Sequence, residues 1–337
     1  MKAALLYGKE DIRREQVSLP EIKDHDLLIR VLACGVCGSD SRMFFNGPSS
    51  RYINPVILGH EISGEVVEVG PHVEDFTPGD RVTLAPIIPC MRCTACAHGQ
   101  DNICETAQVI GCNVHGGFAE YVHVPSQMVQ VGGVVKLPAG TPYQEAALSE
   151  LVGCCLHGLR QTGIEAGDRV MVVGGGPIGM TFVQLAHLVG ARVVTSELLP
   201  RRRALALELG AEEAVDPTDT DLQSDFGNQL DRVIIAAASV PATRQALDLV
   251  RPGGCVLFFS GYLKGSRLEM PLNDIHYREL HIHGSIDSTI QDFQNAVSLL
   301  PQLNMGKLIT DCYPLDRITD AFYATRKPDA VKIIIEP

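Results

Sequence analysis

The chain has 337 residues, more than one hydrophobic core usually holds, so two domains are expected. Hydrophobic residues make up 45% and charged residues 20%, a soluble globular balance, and the formal net charge of −12 argues against a nucleic-acid partner. No stretch approaches the ~18–20 apolar residues of a membrane span, and the N-terminal MKAALLYGKEDIRREQ lacks the apolar run of a signal peptide, so the 11 cysteines are expected to be reduced thiols in a cytoplasmic protein.

Residues 1 to about 140 are rich in short Val/Ile/Leu runs broken by Gly and Pro: LLIRVLACGVCG, GEVVEVG, GDRVTLAP and FAEYVHVP. These predict β-strands and tight turns. Two stretches here carry metal-ligand types, Cys34 and Cys37 in CGVCGSD, and His60 and Glu61 in LGHEISGEVVEVG. Singly each is unremarkable, and a lone Gly-His-Glu also fits a loop histidine with a turn.

Cys90, Cys93, Cys96 and Cys104 follow in PCMRCTACAHGQDNIC. Four thiolates this close can surround one tetrahedral Zn²⁺. Similar spacings serve iron–sulfur clusters, and a disulfide pair is the third option. The ligand type and the tight knuckle favour zinc, in a site closed by its four thiolates and therefore structural.

A helix is expected from about Pro142 to Gly163, with Thr141 as its cap and Pro142 at its first position. From Asp168 the rhythm becomes strand, helix, strand. RVMVVG, ARVVTSE, DRVIIAAA and GCVLFFSG read as strands; MTFVQLAHLVGA, PRRRALALELGA and VPATRQALDLV read as helices. This alternation predicts a parallel, doubly wound sheet. After about Gly284 come one more amphipathic helix, TIQDFQNAVSLLPQL, and a closing strand, VKIIIEP.

The segment RVMVVGGGPIGM carries G-x-G-x-x-G as Gly174, Gly176 and Gly179, after a strand and at the opening of a helix, with Pro177 and Ile178 inside it. Such glycines let the backbone approach a pyrophosphate at the helix N-terminus. Glu197 ends the next strand, where an acid accepts hydrogen bonds from ribose hydroxyls and repels a 2′-phosphate. NAD is therefore expected over NADP. Arg201, Arg202 and Arg203 temper this, since arginines there can hold a phosphate; a solvated helix start is their other explanation.

Taken together, Cys37-Gly38-Ser39-Asp40, Gly59-His60-Glu61, the Cys90–Cys104 lobe and the Gly174–Gly179 turn resemble the medium-chain, zinc-dependent alcohol dehydrogenase family over essentially the whole chain. The resemblance implies a β-rich GroES-like catalytic domain, residues 1-150 and 285-337, with an inserted Rossmann NAD-binding domain, residues 151-284. It implies two zinc ions per chain and NAD as cofactor. Cys37 and His60 then look like catalytic zinc ligands, and Glu61 like a carboxylate beside the metal that can enter its shell. AALSELVGCCLHGLR matches the Glu type of third ligand, giving Glu150, with Cys154 and Cys155 as rivals. Ser39 sits where the family places the hydroxyl that takes the substrate's proton. Arg42 stands where a relay histidine is common, a departure, and a guanidinium cannot act as the base.

The Glu150 pattern, with VIGCNVHGGFAEYVHVP and FFNGPSSRYINP, is nearer polyol dehydrogenases, and also similar to sugar-acid and sugar-alcohol-phosphate dehydrogenases. The expected reaction is oxidation of a secondary alcohol, a polyol or sugar derivative, to a ketone. An amino alcohol such as threonine is an alternative. Arg42, Arg51, Asn113 and His115 lie on loops that can line the cleft. Asp287 either faces substrate or caps the helix starting near Thr289. A metal-independent quinone-type reductase and a non-enzymatic nucleotide-binding relative stay open as other classes, opposed by Cys37, His60 and Glu150. The partner is a small-molecule alcohol or sugar, with no nucleic acid and no membrane. The expected assembly is a homo-oligomer, a dimer or homotetramer.

Overall fold

The computed structural model describes residues 1–337 and divides into two compact units, Met1–Gly153 with Ser288–Pro337, and Cys154–Asp287. The first unit is built on a seven-stranded sheet. Its path runs Val134–Lys136, Arg81–Leu84, Glu61–Val69, Leu27–Gly35, Lys332–Glu336 and Ile309–Pro314, and Tyr121–Val124 also pairs with Leu27–Gly35. The closing strand KIIIE lies against Leu27–Gly35 in an antiparallel register that sets Ile334 opposite Gly35 and Ile335 opposite Cys34. Ile333, Ile334 and Ile335 are buried, so a segment from the far end of the chain completes this core.

The second unit carries a six-stranded sheet in which every neighbouring pair is parallel. Its order is Glu213–Val215, Arg192–Ser196, Arg169–Val173, Leu230–Ile235, Val250–Phe258 and His281–Gly284. In chain order this is the 3-2-1-4-5-6 winding, whose direction reverses beside the first strand. Met171, Val173, Val194, Val233, Ile235 and Val256 are buried in one core, as continuous apolar runs require in a parallel sheet. The helices Pro177–Val189, Pro200–Glu208 and Val240–Leu249 follow the predicted segments.

Three local expectations are corrected. The helix expected over 142–163 is two helices, Tyr143–Ala147 and Ser149–Gln161, and Pro142 is itself the cap. The break at Leu148 is held by side chains: Ser149 Oγ donates to the Ala146 carbonyl at 2.6 Å and Thr83 Oγ1 donates to it at 3.2 Å. The helix after residue 287 spans Ile290–Leu299 and is capped by Thr289, which accepts from Asp292 N–H, rather than by Asp287. Asp287 has φ 53°, a left-handed conformation that Asp tolerates better than most residues. A further short helix, Ile318–Ala324, lacks a side-chain cap and gave no sequence signal.

Candidate metal and nucleotide sites

Strand register builds the first site. Gly35 lies opposite Glu61 in the antiparallel pair Leu27–Gly35 and Glu61–Val69. Cys37, two residues past one strand end, therefore comes beside His60, one residue before the other. A sulfur of Cys37, a ring nitrogen of His60 and a carboxylate oxygen of Glu61 lie within 4.8 Å of one another.

Cys37 is also the N-cap of the helix Gly38–Asn46, and Asp40 at its third position completes a capping box. Asp40 is 2% exposed. Its Oδ2 accepts from Cys37 N–H at 3.0 Å, its Oδ1 accepts from Gly59 N–H at 3.4 Å, and Oδ1 faces His60 Nδ1 at 3.5 Å. A carboxylate on Nδ1 favours a proton there and leaves Nε2 as a lone-pair donor, the arrangement that orients metal-binding histidines. Burial disfavours charge on His60, yet Asp40 and Cys37 together hold its pKa well above the ordinary value. The site thus attracts positive charge.

Glu61 is 1% exposed and Lys332 4%. Lys332 Nζ donates to Glu61 Oε1, a buried pair joining residues 271 positions apart. Burial works against the Lys332 charge, but Glu61, Cys37 and Glu150 outweigh it and raise its pKa. The second oxygen, Glu61 Oε2, is buried without a hydrogen-bond partner. It lies over Gly35, where a Cβ would stand 1.9 Å from it, so any larger residue there would push this carboxylate aside. An unpartnered buried carboxylate oxygen beside a thiol and an imidazole fits a cation.

Glu150 is buried, in the first turn of Ser149–Gln161, and close enough to influence Lys332, but it lies outside the 4.8 Å group. Cys154 and Cys155 are buried too. Ser39 is half-buried and Arg42 exposed, both on the Gly38–Asn46 helix. Tyr52, half-buried nearby, has its phenol pushed up to about 12 by burial and by Cys112 and Asp40, so it stays a protonated donor at neutral pH. Asn113 Oδ1 closes its own turn by accepting from Val109 N–H at 2.6 Å. His115 Nδ1 accepts from Ile57 N–H at 3.2 Å. Its ring lines a separate cavity of about 440 Å³ with Leu5, Val17, Leu19 and His123.

Cys90, Cys93, Cys96 and Cys104 converge in the same 4.8 Å sense, around the short helix Thr94–Ala97. Cys93 Sγ lies 3.5 Å from Cys96 Sγ and 3.8 Å from Cys104 Sγ. Zinc–sulfur bonds of about 2.3 Å give a tetrahedron with edges of about 3.8 Å, whereas a disulfide needs about 2.05 Å. Backbone N–H groups also point at sulfur: Cys90 N–H donates to Cys104 Sγ at 3.2 Å and Cys93 N–H to Cys90 Sγ at 3.3 Å. The Arg92 N–H, with the Thr106 hydroxyl, lowers the Cys90 thiol to about 5, while burial pushes Cys96 up to about 12. The group fits zinc.

In the second unit the strand Arg169–Val173 leads into Gly174 at φ 102°, and the helix begins at Pro177 with Gly176 as cap. A Cβ on Gly179 would stand 1.8 Å from the Gly174 carbonyl, so turn and helix touch through backbone alone. Glu197 Oε2 accepts from Gly175 N–H at 2.6 Å and Oε1 from Leu199 N–H at 2.8 Å. The acid is thereby fixed at the glycine turn, at the switch point where such sheets bind dinucleotides. Arg203 is committed elsewhere: it donates to the carbonyls of Glu197 and Leu198 and to Asp216 Oδ2, at 2.7–2.8 Å. Arg201 is exposed and Arg202 half-buried.

Residues 23–139 match the model of the alcohol dehydrogenase GroES-like domain, and residues 177–302 that of the zinc-binding dehydrogenase. A D-arabitol-phosphate dehydrogenase of Enterococcus avium is 34% identical over 98% of this chain and 95% of its own length. The chain belongs to the zinc-dependent medium-chain alcohol dehydrogenase family. An L-galactonate-5-dehydrogenase of Escherichia coli K12 is 33% identical, over 96% of this chain and 94% of the relative. The NADP-bound structure of a Sinorhizobium meliloti protein superposes with a TM-score of 0.93 at 35% identity, over 100% of this chain and 99% of that one. Family membership makes the chain an oxidoreductase that uses zinc and a nicotinamide nucleotide. No helix is long and apolar enough to cross a membrane.

Asp40 and Lys332 were not singled out from sequence as site residues. Asp40 was findable as the acid three positions after Cys37. Lys332 is the charge that opens the strand KIIIE, but its partner is set only by long-range pairing.

Proposed function

We propose that this protein oxidises a secondary alcohol of a polyol or sugar derivative to the ketone, with NAD as hydride acceptor. The observation that carries the reading is the convergence of Cys37, His60 and Glu61, with Asp40 fixing the histidine. Cys37, His60 and Glu150 would hold the metal, with Glu61 beside it as a further carboxylate that could enter its shell, and Lys332 keeps one Glu61 oxygen paired. The Cys90–Cys104 lobe holds the second, structural zinc. When bound, zinc polarises the substrate oxygen and lowers the hydroxyl pKa, and the nicotinamide takes the hydride. Ser39 accepts the proton from the substrate hydroxyl. Tyr52 donates a hydrogen bond to the substrate.

In the nucleotide site, Gly174, Gly176, Pro177, Ile178 and Gly179 bring backbone to the pyrophosphate, and Glu197 accepts from the ribose hydroxyls. Its negative charge favours NAD, and the commitment of Arg203 to Asp216 supports this. Arg202 borders the same ribose. The relatives acting on arabitol phosphate and galactonate favour a polyhydroxylated substrate; exposed Arg42 and Arg51 suit an anionic one. We place the protein in the cytoplasm and expect a homo-oligomer. The outer strand His281–Gly284 has one unpaired edge, and Leu263, Leu272, Tyr277 and Ile286 of its unit are 60–87% exposed.

The test is a panel of polyols, sugar acids, sugar-alcohol phosphates and amino alcohols, read by NADH absorbance. Turnover of a polyol or sugar derivative with NAD is expected. Turnover confined to amino alcohols, or none with any secondary alcohol, would overturn the reading.

A further inference from the structure

Asp101 lies inside the four-cysteine lobe, opening the 3-10 turn Asp101–Ile103 just before Cys104. It is 9% exposed and is not among the four residues whose ligand atoms converge. Asp101 Oδ2 accepts from Ile290 N–H at 3.0 Å, a buried bond across 189 residues. Ile290 is the first residue of the helix Ile290–Leu299, where backbone N–H groups have no partner inside the helix. Thr289, one residue before the helix, caps the N–H of Asp292, and the lobe supplies the acceptor for that of Ile290.

That helix presses directly on the one bearing Glu150. A methyl group at Gly153 would stand 3.2 Å from Ser288 Oγ and 3.3 Å from Phe293 Cα. Phe293 is fully buried, and Gly153 follows Glu150 by three residues, about one turn of the same helix. Gly153 has no side chain of its own there, so the Ser288 side chain and the Phe293 backbone bear on the backbone of the Glu150 helix. A continuous path therefore runs from Cys96 and Cys104 through Asp101, the start of Ile290–Leu299 and Gly153 to Glu150.

We infer that Asp101 is a positioning residue, through which the four-cysteine lobe sets the placement of Glu150 at the mixed Cys37–His60 site. The inference rests on the reading of Glu150 as a metal ligand. The lobe then acts on the mixed site through the bond of Asp101 to the helix start.

The experiment uses the full chain as a hybrid, with cobalt at the mixed site and zinc in the lobe, and reads the visible cobalt band and the cobalt affinity. Asp101→Ala is expected to shift the band and weaken cobalt binding at least tenfold while the lobe keeps its zinc, because positioning partners of metal ligands carry effects of about 10–100-fold. Asp101→Asn retains an acceptor for Ile290 N–H and is expected to restore wild-type values. An unchanged band and affinity in Asp101→Ala, or an Asn variant as impaired as the Ala variant, overturns the inference. If Asp101→Ala does not fold, the lobe zinc is removed instead by Cys93→Ser, which leaves Cys37 intact; a shifted cobalt band is expected and an unshifted one overturns the link. Glu150→Ala in the same assay separates the two claims. A cobalt band unmoved by Glu150→Ala but shifted by Asp101→Ala defeats the ligand reading and with it Glu150 as the route, and leaves only a coupling of the lobe to the mixed site; a band moved by Glu150→Ala but not by Asp101→Ala defeats the inference and leaves the ligand reading standing.

Discussion

Replacing Asp40 with asparagine tests how the mixed site is organised. The buried carboxylate meets three groups, Cys37 N–H at 3.0 Å and Gly59 N–H at 3.4 Å, and His60 Nδ1 at 3.5 Å. Asparagine has one acceptor and one donor end. If the amide nitrogen takes the Oδ2 position, Cys37 N–H loses its acceptor. If it takes the Oδ1 position, Gly59 N–H loses its acceptor and Nδ1 of His60 faces a donor, which moves the ring proton to Nε2 and blocks the metal-binding nitrogen. An orphaned buried N–H costs about 1–3 kcal/mol, roughly a factor of 5 to 150 in an equilibrium constant. The loss of a partner to a metal-binding histidine costs about 10–100-fold in affinity. The two ranges agree, so mixed-site zinc affinity should fall by about 10–100-fold in Asp40→Asn, with the lobe zinc retained. Zinc titration of the apoprotein against a competing chelator measures this. Wild-type affinity at the mixed site in Asp40→Asn would refute the role given to this carboxylate.

Glu197→Ala removes the acceptor for Gly175 N–H and Leu199 N–H together with its negative charge; KM for NAD should rise about tenfold and discrimination against NADP should relax, as steady-state kinetics with both cofactors would reveal. Cys93→Ser should release the lobe zinc and lower the unfolding temperature, since a structural zinc contributes folding free energy; calorimetry with metal analysis checks it. Asp26 sets a pH dependence. Burial raises its pKa, but His123 Nε2 at 2.9 Å and the N–H groups of Lys23 and Ser126 at 3.0 and 2.8 Å outweigh that and lower it. Its stabilising contribution is therefore complete above the unfolded value of about 3.9 and is lost as pH falls through the lower folded value. Denaturant unfolding of Asp26→Asn should show a stability deficit that is constant above about pH 5 and shrinks below pH 4; a deficit independent of pH would show that the charge is not involved.

What the sequence made legible was local. The lobe and the Gly174–Gly179 turn are each written in at most 15 consecutive residues, and the ligand chemistry follows from spacing. Cys37 and His60 are legible as types, but their meeting depends on a strand register that puts Gly35 opposite Glu61. The Lys332–Glu61 pair spans 271 residues and belongs to no local pattern. The break at Leu148 was missed because the periodic apolar residues continue through it, and Ser149 and Thr83 decide it by capping a carbonyl. Asp287 was a plausible cap by residue type, yet Thr289 stands one residue before the helix and has the side-chain geometry to reach Asp292 N–H. Glu197 was legible as an acid at a strand end, while its two bonds to backbone N–H groups required the folded turn.

Each chain is expected to hold two zinc ions at separable sites, of which only the mixed one carries chemistry. Metal analysis of carefully purified wild-type protein and of Cys37→Ser, with circular dichroism and turnover on the same samples, tests it most directly. Two zincs are expected in the wild type and one in Cys37→Ser, with the fold kept and NAD-linked turnover abolished. One zinc per wild-type chain, or an active Cys37→Ser variant, would contradict it.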